Sequence, residues 1–387
     1  MRKILKNVFL ALVILSVLAV LTSCGNEEAE LPTEADTDII ETEEVESETE
    51  PELPTGPVLV TYSPTSDADK FRFVGRMNPC DEGVYWDYAA SGIEFCGEIV
   101  GDVVLSLSCD RDTYFTVYVD GERADERFFA SAEDDALTVA SFVELGFHTV
   151  KVLRQTEMQW SLAVLESVTV TGSLDSAPAD RDILIEFIGD SLTSGYGNLG
   201  GQSAPNAGIA LYEDATRTYA FLTAESFGAD ATLISCSGVR LSRGDSKFSA
   251  LEFYQNAALY RSREISYENN SRVPDLIVIN LGANDYFSES DVEDFGAEVR
   301  ALIEYVRDFY GVDIPIVWAY NMIGEGNSAY MQKMREVIDA MGGEEVGLYY
   351  TKLEFDRSGG GAHPSLTGHE WSAKKLVKFI TEKGFFE

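Results

Sequence analysis

The chain has 387 residues and a formal net charge of −37, from 66 acidic and 29 basic side chains. That length is sufficient for two domains with additional terminal segments. Because nucleic acids and anionic lipids are bound through basic surfaces, the acidic excess argues against either as a partner and favours neutral substrates.

The first residues are typical of a secretory signal. Arg2, Lys3 and Lys6 precede an apolar run over 8–21, which is short for a transmembrane span. The run ends in Leu-Thr-Ser-Cys at 21–24, which resembles the bacterial lipobox. The resemblance implies that 1–23 are a signal peptide and that a lipid on Cys24 anchors an extracytoplasmic, cell-surface lipoprotein. A soluble secreted protein is the alternative.

Residues 24–57 are polar and acidic and contain no basic residue. Such a segment repels itself and has little to bury, so we predict a disordered tether.

The other cysteines are Cys80, Cys96, Cys109 and Cys236, and their spacing is not that of metal ligands. We expect buried thiols. Pairing of Cys96 with Cys109 across neighbouring strands, or of Cys80 with either, is the alternative.

Residues 58–173 have the pattern of an all-β domain. Segments 92–96 and 103–108 alternate apolar and polar residues, and the run 113–119 leads into the tight-turn pair Asp120-Gly121. Several strands with almost no helical periodicity predict a β-sandwich of the jelly-roll type.

Residues 181–387 alternate between strand and helix patterns. Strands are predicted at 183–188, 231–235, 276–281, 314–319 and 347–351, and helices at 218–227, 292–309, 329–341 and 366–383. This alternation predicts a five-stranded parallel sheet covered by helices on both faces, in a three-layer, flavodoxin-like α/β domain.

Four polar or glycine-containing blocks follow the predicted strands. Gly-Asp-Ser191 follows the first, Ser-Cys-Ser-Gly238 the second, Gly-Ala-Asn284 the third, and a glycine-rich loop with His363 the fifth. Because the carboxyl ends of parallel strands meet at one edge, these residues are expected to converge. Ser191 is then a candidate nucleophile. The alternatives are that Ser191 caps the next helix and that Asn284 is a turn residue.

The chain contains three histidines, and only one suits a general base. His148 lies in an alternating strand of the first domain, where a structural role is expected. His369 falls inside the last predicted helix and is expected on its surface. His363 lies at the edge where Ser191 is expected.

In this order, the four blocks resemble the SGNH, or GDSL-like, hydrolases. The resemblance implies Ser191 as nucleophile and His363 as base. It implies an oxyanion hole formed by the backbone amides of Ser191 and Gly238 and the side-chain amide of Asn284, without metal or organic cofactor.

One position departs from the family pattern. Most members have an aspartate three residues before the catalytic histidine, and this chain has Gly360. We therefore expect a dyad in which a main-chain carbonyl orients His363. Asp356 as a third triad member is the alternative.

The segments 73–76, 85–87, 91–95, 118–121 and 148–150 precede the SGNH blocks in a layout that resembles carbohydrate esterase family two. The resemblance implies removal of acetyl groups from plant polysaccharides or oligosaccharides, xylan or glucomannan among them, through an acetyl-enzyme. Two alternatives remain: an esterase for peptidoglycan O-acetyl groups or short lipid esters, and a polysaccharide-binding lipoprotein with little catalysis.

Aromatic residues at or beyond the strand ends are candidates for stacking on sugar rings. Tyr196, Tyr286 and Trp318 lie there, and Trp86 could approach from the first domain. A role in the core is the alternative for each.

Overall fold

The computed structural model describes residues 56–204, 209–244, 247–258, 265–268, 272–311 and 313–387. The predicted signal peptide, Cys24 and nearly all of the predicted tether lie outside this part. Within it, every helix is too short or too polar to cross a membrane.

The N-terminal part of the described chain is a curled antiparallel sheet of ten strands. In chain order they are β1 (Leu59–Tyr62), β2 (Arg72–Val74), β3 (Asn78–Cys80), β4 (Gly83–Tyr85), β5 (Gly92–Cys109), β6 (Thr113–Val119), β7 (Glu122–Arg123), β8 (Phe128–Ala130), β9 (Ala136–Arg154) and β10 (Ala163–Leu174).

Two of these strands are much longer than the alternation predicted, since β5 has 18 residues and β9 has 19. Their pairing shifts register between Ile99 and Gly101, and bulges of this kind bend a strand without ending it. The all-β prediction is confirmed, whereas the jelly-roll sandwich stays a prediction.

The cysteine alternative is wrong in one respect. Cys96 and Cys109 lie at different places along the same strand, β5, so they do not face each other across neighbouring strands. Cys96, Cys109 and Cys236 are buried free thiols, as expected, whereas Cys80 is only half-buried.

The C-terminal part contains the predicted parallel sheet and a separate two-stranded ribbon. The strands are β11 (Leu184–Gly189), β12 (Asp230–Ser235), β13 (Asn256–Ala258), β14 (Ile265–Ser266), β15 (Leu276–Asn280), β16 (Ile316–Tyr320) and β17 (Leu348–Lys352). The sheet order is β12-β11-β15-β16-β17, with all pairs parallel, while β13 and β14 form the ribbon. This is the flavodoxin-like order, which confirms the predicted five-stranded sheet.

The helices of the described part are α1 (Ser191–Ser194), α2 (Tyr219–Ser226), α3 (Ala250–Tyr254), α4 (Ala283–Phe287), α5 (Val292–Tyr310), α6 (Ala329–Ala340) and α7 (Leu366–Lys383). The last of these has the predicted bounds. Gly384 follows it in a left-handed conformation, as is common just past a helix. Short 3₁₀ turns lie at Ala68–Lys70, Ala210–Tyr212, Ala215–Arg217, Glu325–Asn327, Gly343–Val346 and Gly360–Ala362.

Alternate residues of the central strand face two different cores. Ile277 and Ile279 pack with α5 and α6, whereas Leu276 and Val278 pack with α2 and α7. The sheet is therefore the middle of three layers.

The β-rich part contributes to both of these cores. Met158 packs into the first and Leu153 into the second. Arg72 forms buried ion pairs with Glu94 of its own sheet and with Asp230 of β12. The two parts consequently pack as one compact unit over Pro54–Glu387.

Candidate active site

The turn after β11 presents the candidate nucleophile. Asp190 is the N-cap of α1, and its Oδ1 accepts a hydrogen bond from the Leu192 amide at 3.0 Å. Ser191 therefore does not cap the helix. Its hydroxyl lies 2.9 Å from Nε2 of His363, and the residue is 7% exposed.

The loop before His363 holds the imidazole by a backbone carbonyl. Gly361 has φ +62° and Ala362 φ +58°, so two successive residues adopt the left-handed region, which glycine favours. The carbonyl oxygen of Gly361 lies 3.0 Å from Nδ1 of His363. Because a carbonyl only accepts, Nδ1 carries the proton and Nε2 is left to accept from the Ser191 hydroxyl.

The pKa of His363 is lowered from its ordinary value. Burial of the ring is the main cause and the nearby positive charge of Arg357 adds to it, while the Gly361 carbonyl acts in the opposite direction. The imidazole is therefore neutral at neutral pH, as a general base must be.

Asp356 makes its hydrogen bonds elsewhere. Oδ1 accepts from the Ser358 amide at 2.9 Å, and Oδ2 accepts from the amide and hydroxyl of Ser365 at 2.8 and 2.7 Å. Despite partial burial, these bonds lower the pKa of Asp356. Among the described contacts of His363, the orienting position is taken by the Gly361 carbonyl, and Asp356 stabilises the turn into α7.

The register of the sheet brings the predicted oxyanion donors to the same edge. Gly189 pairs with Ser235 on one side and with Asn280 on the other, just ahead of Gly238 and Asn284. Gly238 has φ +81°, and no described atom lies within 4 Å of where a Cβ would be. The left-handed backbone conformation is therefore what favours glycine here.

Asn284 lies in α4 with its side-chain amide pointed at the nucleophile turn. Its Nδ2 donates to Oδ2 of Asp190 and to the carbonyl of Val239, both at 3.0 Å. Both amide hydrogens thus have acceptors, so donation to an oxyanion requires one of these bonds to be shared or exchanged. Burial raises the pKa of Asp190 to about 8.

One of the predicted aromatic residues lies against the catalytic groups, and a second is exposed on α4. The ring of Tyr196 lies 4.5 Å from that of His363, and Tyr286, two residues after Asn284, is 39% exposed. Trp160, which the sequence reasoning did not single out, lies 5.9 Å from Tyr196 and comes from the loop between β9 and β10.

Trp318 is a wrong prediction as a substrate-binding residue. The ring is fully buried, and Nε1 donates to the carbonyl of Leu281. The reason is that β16 is an inner strand, whose two faces are both covered by helices. Trp86 is likewise buried, in the core of the β-rich part.

The expected surface position of His369 is also wrong. The side chain is fully buried against α2, where Nδ1 accepts from the Tyr219 amide at 3.1 Å. Burial lowers the pKa of His369 to about 3. His148 lies in β9, stacks on Phe142 and pairs with Asp120.

Glu157 is a buried acid at this edge that sequence reasoning missed. It follows β9, and its Oε2 accepts from the Ser237 amide, next to Gly238, at 2.6 Å. The sequence signal is weak, because an acid in a polar run after a strand occurs at many turns. In the described residues, no group of three or more His, Cys, Asp or Glu side chains could hold a metal ion.

Comparison with known proteins identifies similar chains. The chain is 26% identical over 346 residues to the cellulase/esterase CelE of Acetivibrio thermocellus, a match that covers 84% of this chain and 40% of that protein. It is 27% identical over 256 residues to an acetylxylan esterase/glucomannan deacetylase of Cellvibrio japonicus, covering 62% of this chain and 70% of that protein. The chain thus spans well under half the length of the first relative.

A solved structure has the same fold over both parts. It is a family two carbohydrate esterase from Clostridium thermocellum in complex with cellohexaose, with a TM-score of 0.74 and 25% identity. The match covers 82% of this chain and 100% of that chain. Residues 187–371, which include all four blocks, match the model of the GDSL-like lipase/acylhydrolase family. Residues 187–371 therefore match the GDSL-like (SGNH) hydrolases, and the described chain has the two-part fold of a family two carbohydrate esterase.

Proposed function

We propose that this chain is a carbohydrate O-acetyl esterase acting on plant polysaccharides or oligosaccharides of the xylan or glucomannan type. The observation that carries the proposal is the chain of hydrogen bonds that joins the Ser191 hydroxyl, the His363 imidazole and the Gly361 carbonyl. A hydroxyl is a poor nucleophile near neutral pH unless a base of this kind takes its proton. The named relatives supply the substrate class.

The first half of the reaction forms an acetyl-enzyme. Ser191 Oγ attacks the acetyl carbonyl carbon while Nε2 of His363 accepts the hydroxyl proton. The negative charge on the carbonyl oxygen is stabilised by the backbone amides of Ser191 and Gly238 and by Asn284, which gives up a bond to Val239 or Asp190. The intermediate collapses, and His363 returns the proton to the departing sugar oxygen.

The second half repeats these roles with water. His363 accepts a proton from the attacking water, and a second oxyanion forms in the same place. Acetate leaves when Ser191 recovers its proton from the imidazolium. The Gly361 carbonyl holds the ring throughout and stabilises its positive form, though with a smaller charge than a carboxylate would supply.

The surroundings suit a neutral glycan. The chain is strongly acidic, which disfavours polyanionic substrates. Tyr196 lies against His363 and Trp160 lies beside Tyr196, and aromatic faces stack on the apolar faces of sugar rings.

Acetate release tests this function. We expect turnover of acetylated xylan or acetylated glucomannan and of an aryl acetate, with all activity lost in Ser191→Ala. Aryl butyrate and octanoate should react more slowly than the acetate. Faster reaction of the longer acyl chains would favour an esterase for lipid esters. Acetate release from peptidoglycan alone would favour an esterase for peptidoglycan O-acetyl groups. If the wild type binds glycan but releases no acetate, the alternative of a polysaccharide-binding lipoprotein with little catalysis would be favoured.

The proposal includes a surface location, through a lipid on Cys24. Partitioning of the full chain into detergent, and its loss in Cys24→Ala, would support the anchor. Equal partitioning of the two proteins would remove it.

The pH profile should report the lowered pKa of His363. Because the reaction needs neutral imidazole and burial lowers its pKa, kcat/KM for an aryl acetate should hold below pH 6.5, the ordinary histidine value, and fall only at more acidic pH. The measurement is kcat/KM between about pH 4 and 8. Arg357→Gln, which removes one cause of the shift, should move the acidic limb upward. A wild-type limb at or above 6.5 would contradict the assignment.

A further inference from the structure

One buried carboxylate of the β-rich part contacts two turns of the active site. Glu157 is fully buried between β9 and β10, and its Oε2 accepts from the Ser237 amide at 2.6 Å. The same oxygen lies 3.4 Å from the hydroxyl of Ser194. Ser237 precedes Gly238, and Ser194 ends the short helix that Ser191 begins. Glu157 thus bridges the turn of the candidate nucleophile and the turn of a candidate oxyanion donor.

A second buried glutamate holds Glu157 in place. Glu213 accepts from the Glu157 amide through Oε1 and from Nε1 of Trp160 through Oε2, both at 2.6 Å. The backbone of Glu213 is tied in turn to the β-rich part, because Arg127 donates to its carbonyl at 2.9 Å. The loop that carries Glu157 is therefore fixed on both sides of the acid.

The Ser237 amide depends on this contact. Ser237 lies past the end of β12, where the ladder of the parallel sheet has stopped. A buried backbone N–H without an acceptor is costly, so withdrawal of Glu157 would favour rotation of this turn toward another partner. The Gly238 amide belongs to the next peptide plane of the same turn, so a rearrangement of the turn would displace it. Oxyanion donors are effective only when they are fixed before the charge develops.

Burial and mutual repulsion limit how much negative charge the Glu157 and Glu213 carboxyl groups carry. Burial raises the pKa of Glu157 to about 7, and burial together with the charge of Glu157 raises that of Glu213 well above the ordinary range. The titratable groups that face the pair include Arg154 and Arg127, which favour the ionised forms, and Asp190, which disfavours them. The pair therefore carries fewer than two negative charges near neutral pH, which reduces its repulsion of a nearby oxyanion.

We propose that Glu157 is a positioning residue for the oxyanion hole, which holds the Gly238 amide in place through its hydrogen bond with Ser237. The inference rests on the proposed function. It gives the β-rich part a role in catalysis itself, in addition to any contact with carbohydrate.

Two substitutions separate the acceptor from the charge. Glu157→Gln keeps the length of the side chain and an acceptor oxygen but removes the charge. Glu157→Asp keeps the charge but shortens the side chain by one methylene, which moves the acceptor oxygen away from the Ser237 amide. We expect kcat of the Gln variant within about fivefold of wild type and a loss of roughly 10- to 100-fold in the Asp variant, since complete removal of one oxyanion donor costs about 10²–10³. KM for the aryl acetate should barely change. Phosphonate labelling gives the concentration of active sites from which kcat is calculated.

Glu94→Gln is the matched control. It weakens the buried pair with Arg72 inside the β-rich sheet, and Arg72 in turn pairs with Asp230 of β12, away from the site. It should lower Tm while kcat stays near that of wild type. The proposal would be overturned if Glu157→Asp kept the kcat of wild type. It would also be overturned if Glu157→Gln or Glu94→Gln lost as much kcat as Glu157→Asp.

Amide hydrogen exchange of the peptide 236–240 tests the positioning without any turnover. Exchange should be faster in Glu157→Asp than in wild type, Glu157→Gln or Glu94→Gln. If wild type hydrolyses none of the esters, the proposed function fails and exchange alone decides the positioning role. Unchanged exchange in the Asp variant would overturn that role.

Discussion

Ser191→Ala is expected to lower kcat for an aryl acetate by about four to six orders of magnitude, as loss of a serine nucleophile does in other hydrolases. The hydroxyl removed is the one that lies 2.9 Å from the His363 base. Stability should change little, because the substitution deletes one hydrogen bond and leaves Asp190 as the helix cap. The measurements are kcat per folded molecule and Tm.

Ser226→Ala supplies the control for this substitution. Ser226 ends α2, and its exposed hydroxyl contacts only the carbonyl of Leu222 in the described structure. Its kcat should equal that of wild type. A loss of less than about tenfold in Ser191→Ala would exclude Ser191 as the nucleophile.

The second large effect is expected from His363→Ala, with Asp356→Asn as its counterpart. Removal of the only imidazole at the nucleophile in the described structure should cost about four orders of magnitude or more in kcat. Asp356→Asn should change kcat by less than about threefold, because the Gly361 carbonyl, not this carboxylate, holds Nδ1. In a serine protease triad, the equivalent change costs about ten-thousand-fold by favouring the wrong tautomer. A loss of that size in folded Asp356→Asn would make Asp356 the third member of a triad.

Asp356→Asn should instead lower stability, by about 1 kcal/mol. Its carboxylate accepts three hydrogen bonds from Ser358 and Ser365, and an amide offers one oxygen for them. Since the folded-state pKa is lowered, the ionised group stabilises the fold above the ordinary aspartate pKa, about 4, and loses this effect as the pH falls further. The difference in Tm between the variant and wild type should therefore shrink at acidic pH. A kcat loss without this stability loss would contradict the assigned structural role.

The sequence by itself determined the parallel sheet and the meeting of the four blocks. Apolar runs that end in glycine or small polar residues placed Ser191, Gly238 and Asn284 at strand ends, and the strand–helix alternation required those ends to share one edge. The bounds of α7 also followed from local signals, because capping residues act within a few positions of a helix end. Comparison with the family pattern, which has an acid where this chain has Gly360, predicted a carbonyl partner for His363.

Only the tertiary structure decided which residues from distant segments lie against this edge. The burial of Trp318 and His369 depends on which elements cover β16 and α7, and no local periodicity records that. The bent, bulged strand β5 places both Cys96 and Cys109 on one strand, against the expectation from its alternating segments. Glu157 is the strongest case. Its role follows from packing between the two parts of the molecule. There the carboxylate of Glu157, which no local sequence pattern marks as functional, accepts a hydrogen bond from a backbone amide some eighty positions later. Periodicity and turn residues encode local conformation, whereas such a contact depends on how whole elements pack.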